Sequence, residues 1–279
     1  MALFVKELAS PYILKEMENR LVVTKVAATN ISADVPEIAW NGSEITFPIY
    51  SRTAVADAVA AKGSVTPVEI DGTSAKAAIT HYAASSTFHK DALRMSGGAV
   101  LQNMVLRDLS DAMAAKLDLA MVQTAIAGAT LKSACAAADA ITADELENAF
   151  AMFGDHQNVD EFAGVFINSK LFPSMLKMDG FASDNLTYTQ NNNGIVRKQC
   201  AGYYRGVPVF LTNNGTRTAD ECKTLIVQRG ALAYAQKSGV DINEDYNGTS
   251  FMYTETADIY AAHKVLDDSK LVVLAKTIA

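Results

Sequence analysis

At 279 residues, 49% hydrophobic and 20% charged, the chain has globular composition and is long enough for one large domain or two modest ones. A formal net charge of −7 argues against a protein whose task is to grip phosphates, though not against one that merely encloses nucleic acid. No apolar run approaches the ~20 residues of a membrane helix, Lys6 and Glu7 interrupt the N-terminal apolar patch where a secretory signal would be uncharged, and three widely spaced cysteines (Cys135, Cys200, Cys222) imply reduced thiols, not a disulfide framework.

Residues 1 to about 40 are expected to form an extended arm with one short helix, opening at Ser10-Pro11 with proline in the first helical position. From Glu44 to Ser51, Ile45, Phe47 and Ile49 fall on one face, the pattern of a half-buried strand, and Pro48 points to an edge. Then the character of the chain changes. Between Ser51 and Thr80 there is no Leu, Met, Phe, Tyr or Trp. Residues 65–70 and 75–82 predict two strands about a tight Asp71-Gly72 turn, with Pro67 again marking an edge. Such a ribbon buries too little apolar surface to offset the entropy of its own ordering, so it needs a partner surface.

The strongest helix signal runs from about Gly98 to Ala127. Leu101, Val105, Leu109, Met113, Leu117 and Met121 recur every four residues with Met104 and Ala112 beside them, and Arg107, Asp108, Asp111 and Asp118 fall on the other side. At ~1.5 Å per residue this is a rod of about 40 Å, a spine. Ala129 to Ala140 is small and Ala-rich, a linker. Thr142-Ala-Asp-Glu145 is a capping box opening a helix that ends near Gly154. Residues 162–167 predict a buried strand, 169–178 a helix, and 183–194 (SDNLTYTQNNNG) a polar loop. Strands follow at 207–211, 225–227, 232–235 and 271–275, and residues 240–262 alternate as one long half-exposed strand. The class is α+β.

No set of residues assembles into a catalytic, cofactor or metal site. Of four histidines, His81 lies in the ribbon, His156 follows a helix end, and His89 and His263 stand alone. There is no Gly-x-Ser-x-Gly, no phosphate loop, no Gly-x-Gly-x-x-Gly, no Cys-x-x-Cys and no His-x-x-x-His. Ser96-Gly97-Gly98 is a glycine turn into the spine, and Asp267-Asp268 a turn before the last strand. No cofactor is expected.

The order of elements carries a resemblance. The ribbon from Thr46 to about Ala84, the helix GGAVLQNMVLRDLSDAMAAKLDLAMVQTAI, the segment GYYRGVPVFLTNN (Gly202 to Asn214), RGALAYAQKSGVDINEDYN, and a returning strand with LVVLAKT follow in a sequence that resembles the major capsid proteins of tailed bacteriophages, the Hong Kong 97-like fold. That resemblance implies an N-terminal arm (1–43) and an extended loop (44–95) lying over a neighbouring subunit. It implies a peripheral domain with the spine helix (96–129 and 239–269), and an axial domain (130–238 and 270–279) with residues 183–193 as its tip. It implies inter-subunit contacts from Lys62, Gly63, Val65, Pro67, Asp71, Gly72 and Lys76. The partners implied are copies of the chain in pentamers and hexamers, portal and decoration proteins, and double-stranded DNA enclosed without sequence-specific binding. The location implied is the virion, assembled in the host cytoplasm, with no membrane and no catalysis. Because the arm begins almost at once, a separate scaffolding protein, or none, is expected. Two alternatives stay open: an encapsulin-like compartment enclosing enzymes, and a cytosolic hydrolase whose lid is residues 51–80.

Overall fold

The four-residue apolar stripe predicted from 101 to 121 folds into one 30-residue helix. In the computed structural model, which describes residues 6–32, 42–50, 72–95, 99–134, 139–183, 200–237 and 239–278, that helix spans Ala99–Gly128. Val105, Leu109, Met113, Leu117 and Met121 are buried along it, as the stripe predicts, while Met104 and Ala112 face outward.

The elements in chain order are α1 (Lys6–Arg20), α2 (Val23–Ala27), β1 (Ala28–Asn30), β2 (Glu44–Tyr50), β3 (Gly72–Ala78), β4 (Thr80–His89), α3 (Lys90–Met95), α4 (the long helix) and β5 (Leu131–Ala134). Then come α5 (Ala143–Ala151), β6 (Phe162–Ile167), α6 (Phe172–Met175), β7 (Phe181–Ser183), β8 (Cys200–Tyr204), β9 (Val207–Leu211), β10 (Arg217–Thr218), β11 (Glu221–Gln228), β12 (Leu232–Gln236), β13 (Asp241–Asn247), β14 (Met252–Val265) and β15 (Leu271–Thr277).

Two sheets flank α4. A five-stranded sheet runs β1-β12-β14-β13, with β4 on the far side of β14. An eight-stranded sheet runs β5-β15-β11-β6-β9-β8-β7, with β10 attached to β11. One apolar core joins α1, α4, Tyr234, Ala257, Ile259 and Ala261 of the first sheet to Phe166, Leu225, Val227 and Val273 of the second, so α4 is the wall both sheets share. The opposite face of the second sheet packs on α5 and α6 through Leu146, Phe150, Met175, Val165 and Ile226. The capping box at Thr142 and Glu145 forms as predicted, and all six residues of β6 are buried.

Several expectations change. The N-terminal region is not an extended arm with a short helix. The helix α1 has 15 residues, Pro11 lies inside it, and Ala9, Ile13 and Met17 at four-residue spacing are buried against α4. That burial outweighs the backbone hydrogen bond Pro11 cannot donate. The Ala-rich linker contains β5, which pairs in parallel with β15. The helix expected over 169–178 shortens to α6 between turns. The single strand expected over 240–262 is two, β13 and β14, folded back on each other from Asp241↔Asp258 to Asn247↔Met252. Strand β12, expected with the second sheet, pairs with β14 in the first. The polar loop lies, apart from Ser183, outside the described residues, as does Ser96-Gly97-Gly98.

The spine is tied to both neighbours by polar contacts. On the second sheet's side, Asn214 Nδ2 donates to the Ala115 carbonyl, and Gly215 (φ +71°) lies so close that a Cβ there would sit 2.9 Å from Leu119 Cδ1. On the N-terminal side, Asp118 turns inward from α4. Its carboxylate, 3% exposed, accepts from the backbone N–H groups of Val22, Val23 and Thr24 and from the Thr24 hydroxyl. Val22, at the start of α2, supplies no side-chain cap, so Asp118 closes that helix from 96 residues away.

Candidate assembly interface

The ribbon's two strands are β2 and β3, paired from Glu44↔Ala78 to Tyr50↔Gly72. Gly72 opens β3 opposite Tyr50, and Thr80 to Tyr82 belong to β4, paired with β14, not to the ribbon; residues 65–70, expected to pair with 75–82 about Asp71-Gly72, lie outside the described residues. The reason for the pairing of β2 with β3 is the burial of Ile45 and Phe47. Both are buried, with Ala77, against Ala233, Ala235 and Ala262 on the face of the first sheet opposite α4. The ribbon's base is therefore anchored on its own subunit. It is not coreless over its whole length.

Of the contact residues expected from the resemblance, Lys62, Gly63, Val65, Pro67 and Asp71 lie outside the described residues. Lys76 faces water in β3, 3.8 Å from Glu44 across the pair. Beyond the ribbon, the outer face of the first sheet is polar and made of small side chains. Ala83, Ser85 and Thr87 of β4 are exposed, beside Thr254 and Thr256 of β14. At one end His81 Nε2 lies 2.8 Å from Asp258 Oδ2, and its ring stacks on Tyr260 at 4.5 Å between centroids. At the other, the exposed Phe251 ring meets His89 edge-on. Met95, Val100 and Met104 form a further exposed apolar group at the start of the spine.

His263 sits on the opposite, inward face. Its ring lies 5.3 Å from Tyr234 and 6.0 Å, edge-on, from Tyr82. Its Nε2 is buried with no hydrogen-bond partner among the described residues. Burial pulls its pKa down from 6.5 to about 4. The folded state thus holds the ring neutral where the unfolded chain binds a proton. The contribution is fully present above pH 6.5, is lost as pH falls through that window, and levels off below about 4. The loss reaches about 3 kcal/mol. Urea midpoints measured between pH 7 and 4 are expected to fall along this curve and to flatten in His263→Phe.

No group of three or more His, Cys, Asp or Glu side chains stands in metal-binding geometry among the described residues. Asp267 caps Ser269 and pairs with Lys270 at 3.2 Å, a structural turn into β15 as the sequence suggests. No helix among the described residues is long and apolar enough to cross a membrane.

No family model matches the chain, and no curated protein does. Solved structures do. One from Gordonia phage Cozz superposes with a TM-score of 0.65 at 12% identity, covering 93% of this chain and 87% of that one. The capsid of a native GTA particle gives 0.63 at 11% identity, covering 94% and 91%. A virus-like particle from Pyrococcus furiosus gives 0.60 at 14% identity, covering 96% and 98%.

Proposed function

We propose that this chain, whose fold is the Hong Kong 97-like fold of phage capsid proteins, is a shell subunit that assembles with copies of itself into pentamers and hexamers around double-stranded DNA. The observation that supports this reading is the similarity in fold to a GTA capsid and a virus-like particle over 94% and 96% of this chain. In it, the sheet of β4, β12, β13 and β14 with α4 is the peripheral domain and the eight-stranded sheet the axial one. The role is structural, without catalysis. The anchored β2–β3 base projects residues 51–71, and with them Lys62, Gly63, Val65, Pro67 and Asp71, toward a neighbour, with Gly72 and Lys76 at the root. A contact between unlike surfaces, head to tail, closes a ring when the rotation allows. The location is the virion.

The test is replacement of residues 52–70 by a short Gly-Ser linker. Subunits of normal thermal stability that form no closed particles under electron microscopy are the expected result, since the base keeps its own core. Closed particles of normal diameter overturn it. An encapsulin-like compartment is the second reading, since a virus-like particle from Pyrococcus furiosus also has this fold, at a TM-score of 0.60. A purified shell holding one enzyme and no DNA decides for it.

A further inference from the structure

Two copies of one tripeptide sit in opposite surroundings. Asn214-Gly215-Thr216 and Asn247-Gly248-Thr249 have the same local sequence. Asparagine followed by glycine is the pair most prone to deamidation, because glycine has no Cβ to keep its backbone nitrogen away from the preceding side-chain amide. The other two Asn-Gly pairs, at 41–42 and 193–194, lie wholly or partly outside the described residues. Local sequence treats 214 and 247 alike, so a difference between them comes from the fold.

At the first copy the reacting groups are held in place. Asn214 donates through Nδ2, the nitrogen that would leave, to the Ala115 carbonyl on the spine, and its N–H donates to Thr212 Oγ1. Gly215 is fixed at φ +71° against Leu119 and Val122. Thr216 is fully buried, and its hydroxyl donates to the Thr212 carbonyl and accepts from Asn168 Nδ2. Swinging the Gly215 nitrogen onto the Asn214 amide carbon would break these contacts together.

The second copy is the turn between β13 and β14. Asn247, Gly248 and Thr249 are all exposed, and a Cβ on Gly248 would meet nothing closer than Tyr246 Cε1 at 3.9 Å. Asn247 Oδ1 accepts from the N–H groups of Thr249 at 3.0 Å and Ser250 at 3.4 Å. A bond to the N–H two residues on folds the side chain back over the Gly248 peptide, whose nitrogen is the attacking atom. The same two donors polarise the Cγ–Oδ1 bond and face the oxygen on which negative charge develops in the tetrahedral intermediate, as in an oxyanion hole.

We propose that Asn247 is a modification site, deamidating in the folded subunit while Asn214 is protected. Solvent hydroxide takes the Gly248 amide proton, the nitrogen bonds to Asn247 Cγ, and the Cγ–Nδ2 bond breaks with loss of ammonia. Water then opens the succinimide at either carbonyl, giving aspartate or isoaspartate. Both add a negative charge two residues from the exposed Asp245. Aspartate keeps an oxygen for the Thr249 and Ser250 N–H groups. Isoaspartate inserts a methylene into the main chain and withdraws that oxygen. The same turn holds Phe251 at φ +54°, with its carbonyl accepting from the Lys90 N–H at 2.9 Å, so isoaspartate unties the hairpin tip from α3. The reaction needs no assembly and is independent of the shell reading.

Peptide mapping by mass spectrometry of the purified subunit, aged at mildly alkaline pH, tests this. Aspartate and isoaspartate are expected at Asn247 at about ten times the rate at Asn214. In urea, where the fold is gone, the two rates are expected to converge. Equal rates in the folded subunit, or reaction at Asn247 only in urea, overturn the proposal. Aspartate without isoaspartate means direct hydrolysis and overturns the succinimide step. In the isoaspartate fraction the Lys90 amide is expected to exchange faster with solvent, and unchanged exchange overturns the untying of the tip.

Discussion

Asp118→Ala is expected to destabilise the subunit by about 3–5 kcal/mol. The carboxylate accepts three backbone N–H groups and one hydroxyl, and Val22, Val23 and Thr24 are all buried. Truncation leaves three buried donors without partners, each costing ~1–3 kcal/mol, and partial entry of water offsets some of the total. The damage spreads along the chain, because α2 leads directly into β1, which pairs in parallel with β12. Asp118→Asn keeps one acceptor oxygen and is expected to cost less than half as much. Denaturant midpoints measure both, and exchange of the amides in residues 6–30 locates the effect. A shift under ~1 kcal/mol for the alanine variant would show that the N-terminal segment is held by apolar contact alone.

Glu145→Ala is the second large effect, also about 3–5 kcal/mol. Glu145 does two jobs. One carboxylate oxygen accepts from the Thr142 N–H to complete the capping box, and the other accepts from Lys276 Nζ on β15. Lys276 is 1% exposed. Without Glu145 it is a cation buried without its partner, which costs far more than the pair itself contributes. The control follows from the same reasoning: Glu145→Gln with Lys276→Met keeps the cap, removes both charges, and is expected to recover most of the loss. Burial by itself would raise the Glu145 pKa, but the hydrogen bond from Lys276 and those at Thr142 outweigh it, and the group sits below its usual 4.5. A carboxyl depressed in the folded state gives stability that is present above pH 4.5 and is lost as pH falls through the folded value. Acid titration of the double variant should lack that component. If Glu145→Ala melts within a degree or two of the parent, the ion pair is solvated in a way its burial denies.

Both residues lie where sequence patterning is blind. Asp118 falls among the charges assigned to the solvent side of the spine, and by periodicity alone that is the sensible reading. A partner 96 residues away reverses it, and no local signal at Val22 advertises a missing cap. Glu145 is recognisable as a capping-box residue, but its second role depends on β15 passing beneath α5. The ribbon shows the same division. Its composition shows that residues 51–80 carry no Leu, Met or aromatic side chain, and the alternation at Ile45 and Phe47 announces a half-buried strand. Which strand pairs with β3, and what Phe47 packs against, are set by the first sheet.

What the sequence determined by itself is what short-range chemistry controls: the 30-residue spine from its four-residue stripe, the capping box at Thr142, the apolar strands at 162–167, 207–211, 225–227 and 271–275, and the order of elements that carries the fold. What only the tertiary structure decided is pairing across distance: α1 as a full helix on α4, β12 in the first sheet, β13 folded back on β14, and the inward turn of Asp118. Periodicity reports that a face will be buried. It does not report against what, because burial energy is nearly indifferent to the identity of an apolar partner, and the choice among partners is made by chain topology.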